Sequence, residues 1–233
     1  MSDSPSMENL SHPHCYHRDN DEQVEVRECF CGRARDALGR LEPGCQIFGF
    51  TKGQFSLMDL LIAIVQQVGP CRMDLSTWTA ASADLEAAYK FSKRGEIQDL
   101  RFVVDRSFPT RQPEYCETLR ERFGDEAIRV TRTHAKFVTV RNDDWSIVCM
   151  TSMHLNHNPR FEDFFLVDDP EVCGYMTDMA DKIFDQQDVG AAFEGTTATE
   201  DDHFHDFQLR GDSEHPDMRE PKDVAMEPEG MSF

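Results

Sequence analysis

The chain has 233 residues, with 24 Lys and Arg against 44 Asp and Glu, a formal net charge of −20. Hydrophobic residues make up 39% and charged residues 29%, enough for one large globular domain or two small ones. The acidity excludes a generally basic nucleic-acid coat protein. No apolar run reaches the ~18 residues that cross a bilayer, and the opening Met-Ser-Asp-Ser-Pro-Ser has no signal-peptide pattern, so a soluble, cytoplasmic protein without membrane partners is expected.

Residues 1–22 are polar and carry five acids and one base, and they read as a flexible arm. A first helix is expected over 23–41, ended by Pro43-Gly44. Cys45 to Phe50 is a short apolar strand, with a turn at Thr51-Lys52-Gly53. Ser56 opens a helix, with Asp59 three residues on as the capping-box acid. Leu57, Leu60, Leu61, Ile64, Val65 and Val68 make its buried stripe, and Gly69-Pro70 stops it. Arg72 to Trp78 reads as a strand, Ser82 caps a helix running to Arg94, and Leu100 to Val104 is a buried strand. Pro113 starts a helix that Gly124 closes, with Cys116, Leu119 and Phe123 on its apolar face. Ile128 to Thr133 is extended. Lys136 to Val140 and Trp145 to Met150 form a hairpin around Asn142-Asp143-Asp144. Phe164 to Val167 is the last strand, and Asp169-Pro170 starts a helix with Val172, Met176, Met179 and Ile183 turned inward. Residues 188–233 hold thirteen acids and three bases, and they read as a disordered acidic tail or a segment ordered by a protein partner.

Strands separated by helices of about a dozen residues predict an α/β fold. The hairpin makes the sheet mixed, sandwiched between helices, in one domain over 23–187.

Eight cysteines are scattered along the chain and read as reduced thiols, several in the core. A zinc site from His12, His14, Cys15 and His17 with Cys29 and Cys31 is an open alternative, though Cys-x-Cys fits no common finger.

Chemistry concentrates in Thr133-His134-Ala135-Lys136 and in Thr151-Ser152-Met153-His154-Leu155-Asn156, followed by Glu162. His134 and Lys136 are two apart at the head of a strand, so a strand period of two puts both on one face. Ser152 ends the partner strand of the hairpin and returns close to His134. Polar residues at the ends of adjacent strands are where an α/β sheet places a site. His154-x-x-His157 with Glu162 is an alternative reading as a metal site.

This pattern resembles the phospholipase D superfamily, whose signature is His-x-Lys, four residues, Asp, then Gly-Ser-x-Asn and a later Glu. His134-Ala135-Lys136 matches the first part. Thr151-Ser152-Met153-His154 stands in place of Gly-Ser-x-Asn, and Glu162 in place of the Glu. The element order from 72 to 185 is also similar to one half of that fold, and the flavour is that of versions encoded by bacterial viruses. The resemblance implies a phospholipase D-like mixed β-sheet between helices and a metal-independent phosphodiesterase without cofactor. His134 would be nucleophile or acid, Lys136 and Ser152 would hold phosphate, and Glu162 would orient histidine, while His154, Arg141 and Asn156 would contact substrate.

Arg141 replaces the signature Asp, Thr151 the Gly and His154 the Asn. There is one His-x-Lys where the mechanism uses two, which implies a homodimer, unless 45–78 is a degenerate first half offering Lys52 and Ser56. The expectation is a nuclease. Residues 89–141 hold twelve bases and eight acids, and Arg101, Arg106, Arg129, Arg132 and Arg141 could track a nucleic-acid backbone. The alternative is an inactive fold that binds nucleic acid or serves assembly or regulation.

Overall fold

The computed structural model describes residues 15–18, 24–25, 32–155, 160–190 and 193. Among these, nine strands form one mixed sheet. The strands are β1 (Cys15–Arg18), β2 (Val24–Glu25), β3 (Gln46–Thr51), β4 (Cys71–Thr77), β5 (Ile97–Asp105), β6 (Ile128–Thr131), β7 (Phe137–Arg141), β8 (Ser146–Thr151) and β9 (Glu162–Asp168). Their order across the sheet is β2-β1-β3-β9-β8-β7-β4-β5-β6. The helices are α1 (Ala34–Leu38), α2 (Leu57–Val68), α3 (Ser82–Lys93), α4 (Phe108–Arg111), α5 (Pro113–Phe123) and α6 (Pro170–Gln186). The mixed α/β class expected from the sequence is what the chain adopts.

β4, β5 and β6 run parallel, joined by helical crossovers, while β7, β8, β9 and β3 alternate in direction. The main core lies on one face, where Leu60, Leu61, Ile64, Leu85, Phe108 and Leu119 meet Ile47, Met73, Leu75, Phe102, Cys149, Phe164 and Leu166. On the other face α6 packs against β6, β7 and β8, through Cys173 onto Val148 and Val167. The α2 capping box forms as expected: Asp59 N donates to Ser56 Oγ (3.1 Å) and Ser56 N to Asp59 Oδ2 (2.8 Å).

The structure corrects several expectations. The helix expected over 23–41 is confined to Ala34–Leu38, and Val24–Glu25 is a strand instead. Cys15–Arg18, expected in the flexible arm, pairs antiparallel with β3 along Gln46–Gly49. Ser82 is the first residue of α3, not its cap; Ala81 holds that position without a side-chain bond. The buried stripe of α6 is Cys173, Thr177 and Ala180, and Val172 is exposed. Small residues let the helix sit close to the sheet, and Met176, Met179 and Ile183 are half-buried beside them, Met176 packed on the Val148–Val167–Cys173 cluster. The 45–78 stretch forms β3, α2 and β4 of this one sheet rather than a half of its own. Cys45, Cys71, Cys116, Cys149 and Cys173 are buried thiols, and burial pushes Cys149 up to about 12. His12, His14, Cys29 and Cys31 lie outside the described residues.

Candidate functional site

The registers bring many strand ends to one edge of the sheet. Ser76 faces Phe137, Phe137 faces Met150, Thr151 faces Phe164, and Thr51 faces Glu162. The C-terminal ends of β3, β4 and β8 therefore meet the N-terminal ends of β7 and β9, with β5 ending nearby at Asp105.

His134 and Lys136 lie in the segment entering β7, not within the strand. That segment is fixed from three sides. Thr133 N donates to Asp105 Oδ2 (3.2 Å), Ser76 Oγ to Ala135 O (2.9 Å), and Thr151 N to Lys136 O (3.2 Å). The side chains still converge: Lys136 Nζ is 3.4 Å from His134 Nδ1 and donates to His134 O at 3.2 Å. His134 is exposed, and Lys136 half-buried.

Ser152 follows β8 directly. Its hydroxyl donates to Glu162 Oε2 at 2.5 Å and accepts from Asp163 N at 2.9 Å. Glu162 is 9% exposed, and its charge acts on Lys136. Burial lowers the Lys136 ammonium below its usual range and Glu162 opposes that.

The chain then turns back across β4. Ala81 N donates to Leu155 O (2.7 Å) and Leu155 N to Thr79 O (3.3 Å). This clip brings the His154 ring 5.7 Å from that of Trp78, while His134 lies 6.0 Å from the same indole. Arg111 lies 3.5 Å from the Trp78 ring centroid and donates to Trp78 O at 2.8 Å. Burial first, then Lys136, His134, Arg111 and Arg160, push His154 down to about 4, so its ring is neutral at physiological pH. Its Nδ1 is buried without a hydrogen-bond partner. His154 and Glu162 also line a narrow cleft with Thr51 and Ser56.

Of the expected site residues, His134, Lys136, Ser152, His154 and Glu162 come to this edge. Arg141 does not. It ends β7 at the far side of the sheet, facing Ser146, and donates to the buried Asp74 at 3.1 Å. Two more of the arginines expected to track a backbone are engaged within the fold. Arg101 bonds Asp74 and Asp181, and buried Arg129 donates to the carbonyls of Phe184, Asp125, Glu126 and Ile128. Asn156 and His157 lie outside the described residues. Among the described residues no group of three His, Cys, Asp or Glu could hold a metal ion. Trp78 and Arg111 were missed by the sequence reading. The signal available was a tryptophan at the end of a parallel strand, but the arginine's approach depends on α4, which had no sequence signature.

No family model and no curated protein matches the chain. Solved structures do resemble it. The phospholipase D family member Nuc from Salmonella typhimurium is 12% identical, with a TM-score of 0.42, over 55% of this chain and 88% of that one. NucT from Helicobacter pylori is 11% identical, with a TM-score of 0.40, over 54% of this chain and 87% of its own. The phosphatidylserine synthase from Haemophilus influenzae Rd KW20 is 14% identical, with a TM-score of 0.43, over 61% of this chain and 39% of that chain. Among the described residues, no helix is long and apolar enough to cross a membrane.

Proposed function

We propose that this edge binds a phosphodiester and hydrolyses it through a phosphohistidine, with nucleic acid as the substrate class. The observation that carries the reading is the convergence of Lys136 on His134, 3.4 Å apart, beside the Ser152–Glu162 pair in a locally cationic site. Lys136 and the Ser152 hydroxyl are donors for non-bridging oxygens. A neutral His134 imidazole attacks phosphorus and the P–O bond to the leaving oxygen breaks. That oxygen takes a proton from a second, protonated imidazole. The same imidazole then accepts a proton from water, which attacks the phosphohistidine and breaks the P–N bond. In this reading the second imidazole is the His134 of another copy across a twofold, so the active species is a homodimer.

The test is hydrolysis of bis(p-nitrophenyl) phosphate in the presence of chelator. Parent protein should turn it over, and His134→Ala should lose about 10²–10⁴-fold in rate. Sedimentation of the active protein should show a dimer. Equal rates for parent and His134→Ala would overturn the catalytic reading.

A second reading is favoured by His154, which stands where the superfamily signature has Asn. It is a binding protein that keeps the fold and the anion site without turnover. Parent protein that binds oligonucleotide through Lys136 but leaves every diester intact would establish it.

A further inference from the structure

Beside this edge the outer face of the sheet is aromatic. Alternation along β3 turns Phe48 and Phe50 away from the main core, while Ile47 and Thr51 are buried in the opposite direction. Phe161 lies on Phe50 with ring centroids 4.9 Å apart and planes 17° apart, so the two rings are stacked. Phe161 is nonetheless 48% exposed, and on the same sheet face Met150 is 41% exposed. Large apolar side chains left this open beside a polar edge mark a binding surface.

Cations flank the ring pair. Arg160 precedes Phe161 and is exposed; Lys52 follows Phe50 by two residues and is exposed. On the other side, Phe161 is joined directly to Glu162, the partner of Ser152. In sequence, therefore, Lys52 and Arg160 border the stacked pair, and Phe161 adjoins Glu162 of the candidate site. The register also sets the Asp163 carboxylate beside Phe50. That charge repels phosphates from the rings and leaves neutral bases to cover them.

We infer that the Phe50–Phe161 pair, flanked by Lys52 and Arg160, is a base-stacking subsite that makes the chain a reader of single-stranded nucleic acid. The inference rests on the phosphodiester reading of the neighbouring edge. Flat apolar bases joined by phosphates match an aromatic face interleaved with cations, and duplex bases, stacked on each other, cannot reach a ring on a sheet face.

The experiment compares three ligands by fluorescence anisotropy on the full chain: a short oligodeoxythymidylate, an abasic strand of equal length, and a duplex. Parent protein should bind the oligodeoxythymidylate about tenfold more tightly than the abasic strand. Phe161→Ala should bind the two alike, and Phe161→Trp should restore the difference. Phe161 is exposed, so its removal leaves the core intact. Hydrolysis of bis(p-nitrophenyl) phosphate by the parent protein is read in parallel. Equal binding of the two strands by parent protein overturns the stacking subsite while leaving the phosphodiester reading in place. Loss of diester hydrolysis and of Lys136-dependent binding in the parent overturns that reading instead. If Phe161→Ala lowers binding only by turning a dimer into a monomer in sedimentation, the rings are a self-association face and the inference fails.

Discussion

Arg141 donates to Asp74 at 3.1 Å, and this contact commits a residue of the signature region to the interior. Asp74 is 1% exposed and also accepts from Arg101 Nε (2.6 Å) and Thr139 Oγ1 (3.0 Å). Arg101 continues to Asp181 of α6 at 2.6 Å. Two arginines and two aspartates thus tie β4, β5 and β7 to the helix on the outer face. Truncating one member of such a cluster leaves its partner's charge buried. Arg141→Ala is expected to lower unfolding stability by about 1–3 kcal/mol, since Asp74 keeps its other two donors. Asp74→Ala should cost about 3–5 kcal/mol. Urea denaturation measures both. Oligonucleotide binding by folded Arg141→Ala should equal that of the parent, and selective loss of binding at unchanged stability would return Arg141 to the site.

Asp105 is expected to act as a positioning residue. Burial raises its proton affinity, but hydrogen bonds from Ser107 and Thr133 and the charge of Arg111 hold its carboxyl below the usual range. Its bond to Thr133 N fixes the approach to His134. Asp105→Asn keeps the shape but removes one acceptor oxygen and the charge. Diester hydrolysis should fall about tenfold in kcat with little change in KM, because Lys136 remains in place to bind. A matching rise in KM would show that the loop carries binding rather than alignment. The sign of the pH effect is fixed: a depressed carboxyl contributes stability above its unfolded value and loses it as pH falls through the folded value.

The sequence carried the element order well because its punctuation is strong. Ser56 with Asp59, Gly69-Pro70, Pro113, Gly124 and Asp169-Pro170 all mark observed helix ends. Convergence of His134, Lys136 and Ser152 was also legible, since a hairpin returns its second strand to the start of its first, while Glu162, on the next strand, entered only through the resemblance. The location of Arg141 follows from the same alternation, five residues along a strand from Lys136, yet its partner Asp74 is distant in sequence and could not be read. The end of the chain's first helix failed for a different reason. Gly32 and Gly39 interrupt residues 23–41, and β1 gains its place only by pairing with β3, a contact with no local signal. Trp78 and Arg111 meet through a cation–π stack between the end of β4 and α4, a tertiary event that propensity does not encode.

Arg111 should tune the site through two effects at once. It covers the Trp78 ring and contributes to the field that depresses His154. Arg111→Gln removes the charge and most of the stack, worth about 0.5–2 kcal/mol. The His154 resonance should then titrate at higher pH than in the parent, and Trp78 fluorescence should shift to longer wavelength. Affinity for sulfate should fall, because one cation near the anion is gone. An unchanged His154 titration in the folded variant would show that Arg111 acts on Trp78 alone.

His154 should couple anion binding to proton uptake. Its ring is held at about 4 by burial and by Lys136, His134, Arg111 and Arg160, against an ordinary 6.5. Folding therefore disfavours the charged ring: between about 4 and 6.5 the unfolded chain binds a proton at His154 that the folded chain does not. Stability from this group is complete above the unfolded value and is lost as pH falls through the window. A bound dianion offsets the surrounding cations and raises the ring's proton affinity, so the complex holds more protons than the free protein. By linkage, sulfate affinity must rise as pH falls from about 6.5 towards 4, and weaken in the other direction. Sulfate does not itself titrate there, so calorimetry across that range, in buffers of different ionisation enthalpy, measures the proton directly. His154→Asn restores the superfamily's amide, which donates at every pH. It should flatten the His154 contribution to both profiles and abolish the associated proton uptake. Identical proton uptake in His154→Asn and the parent would assign the coupling to His134 instead.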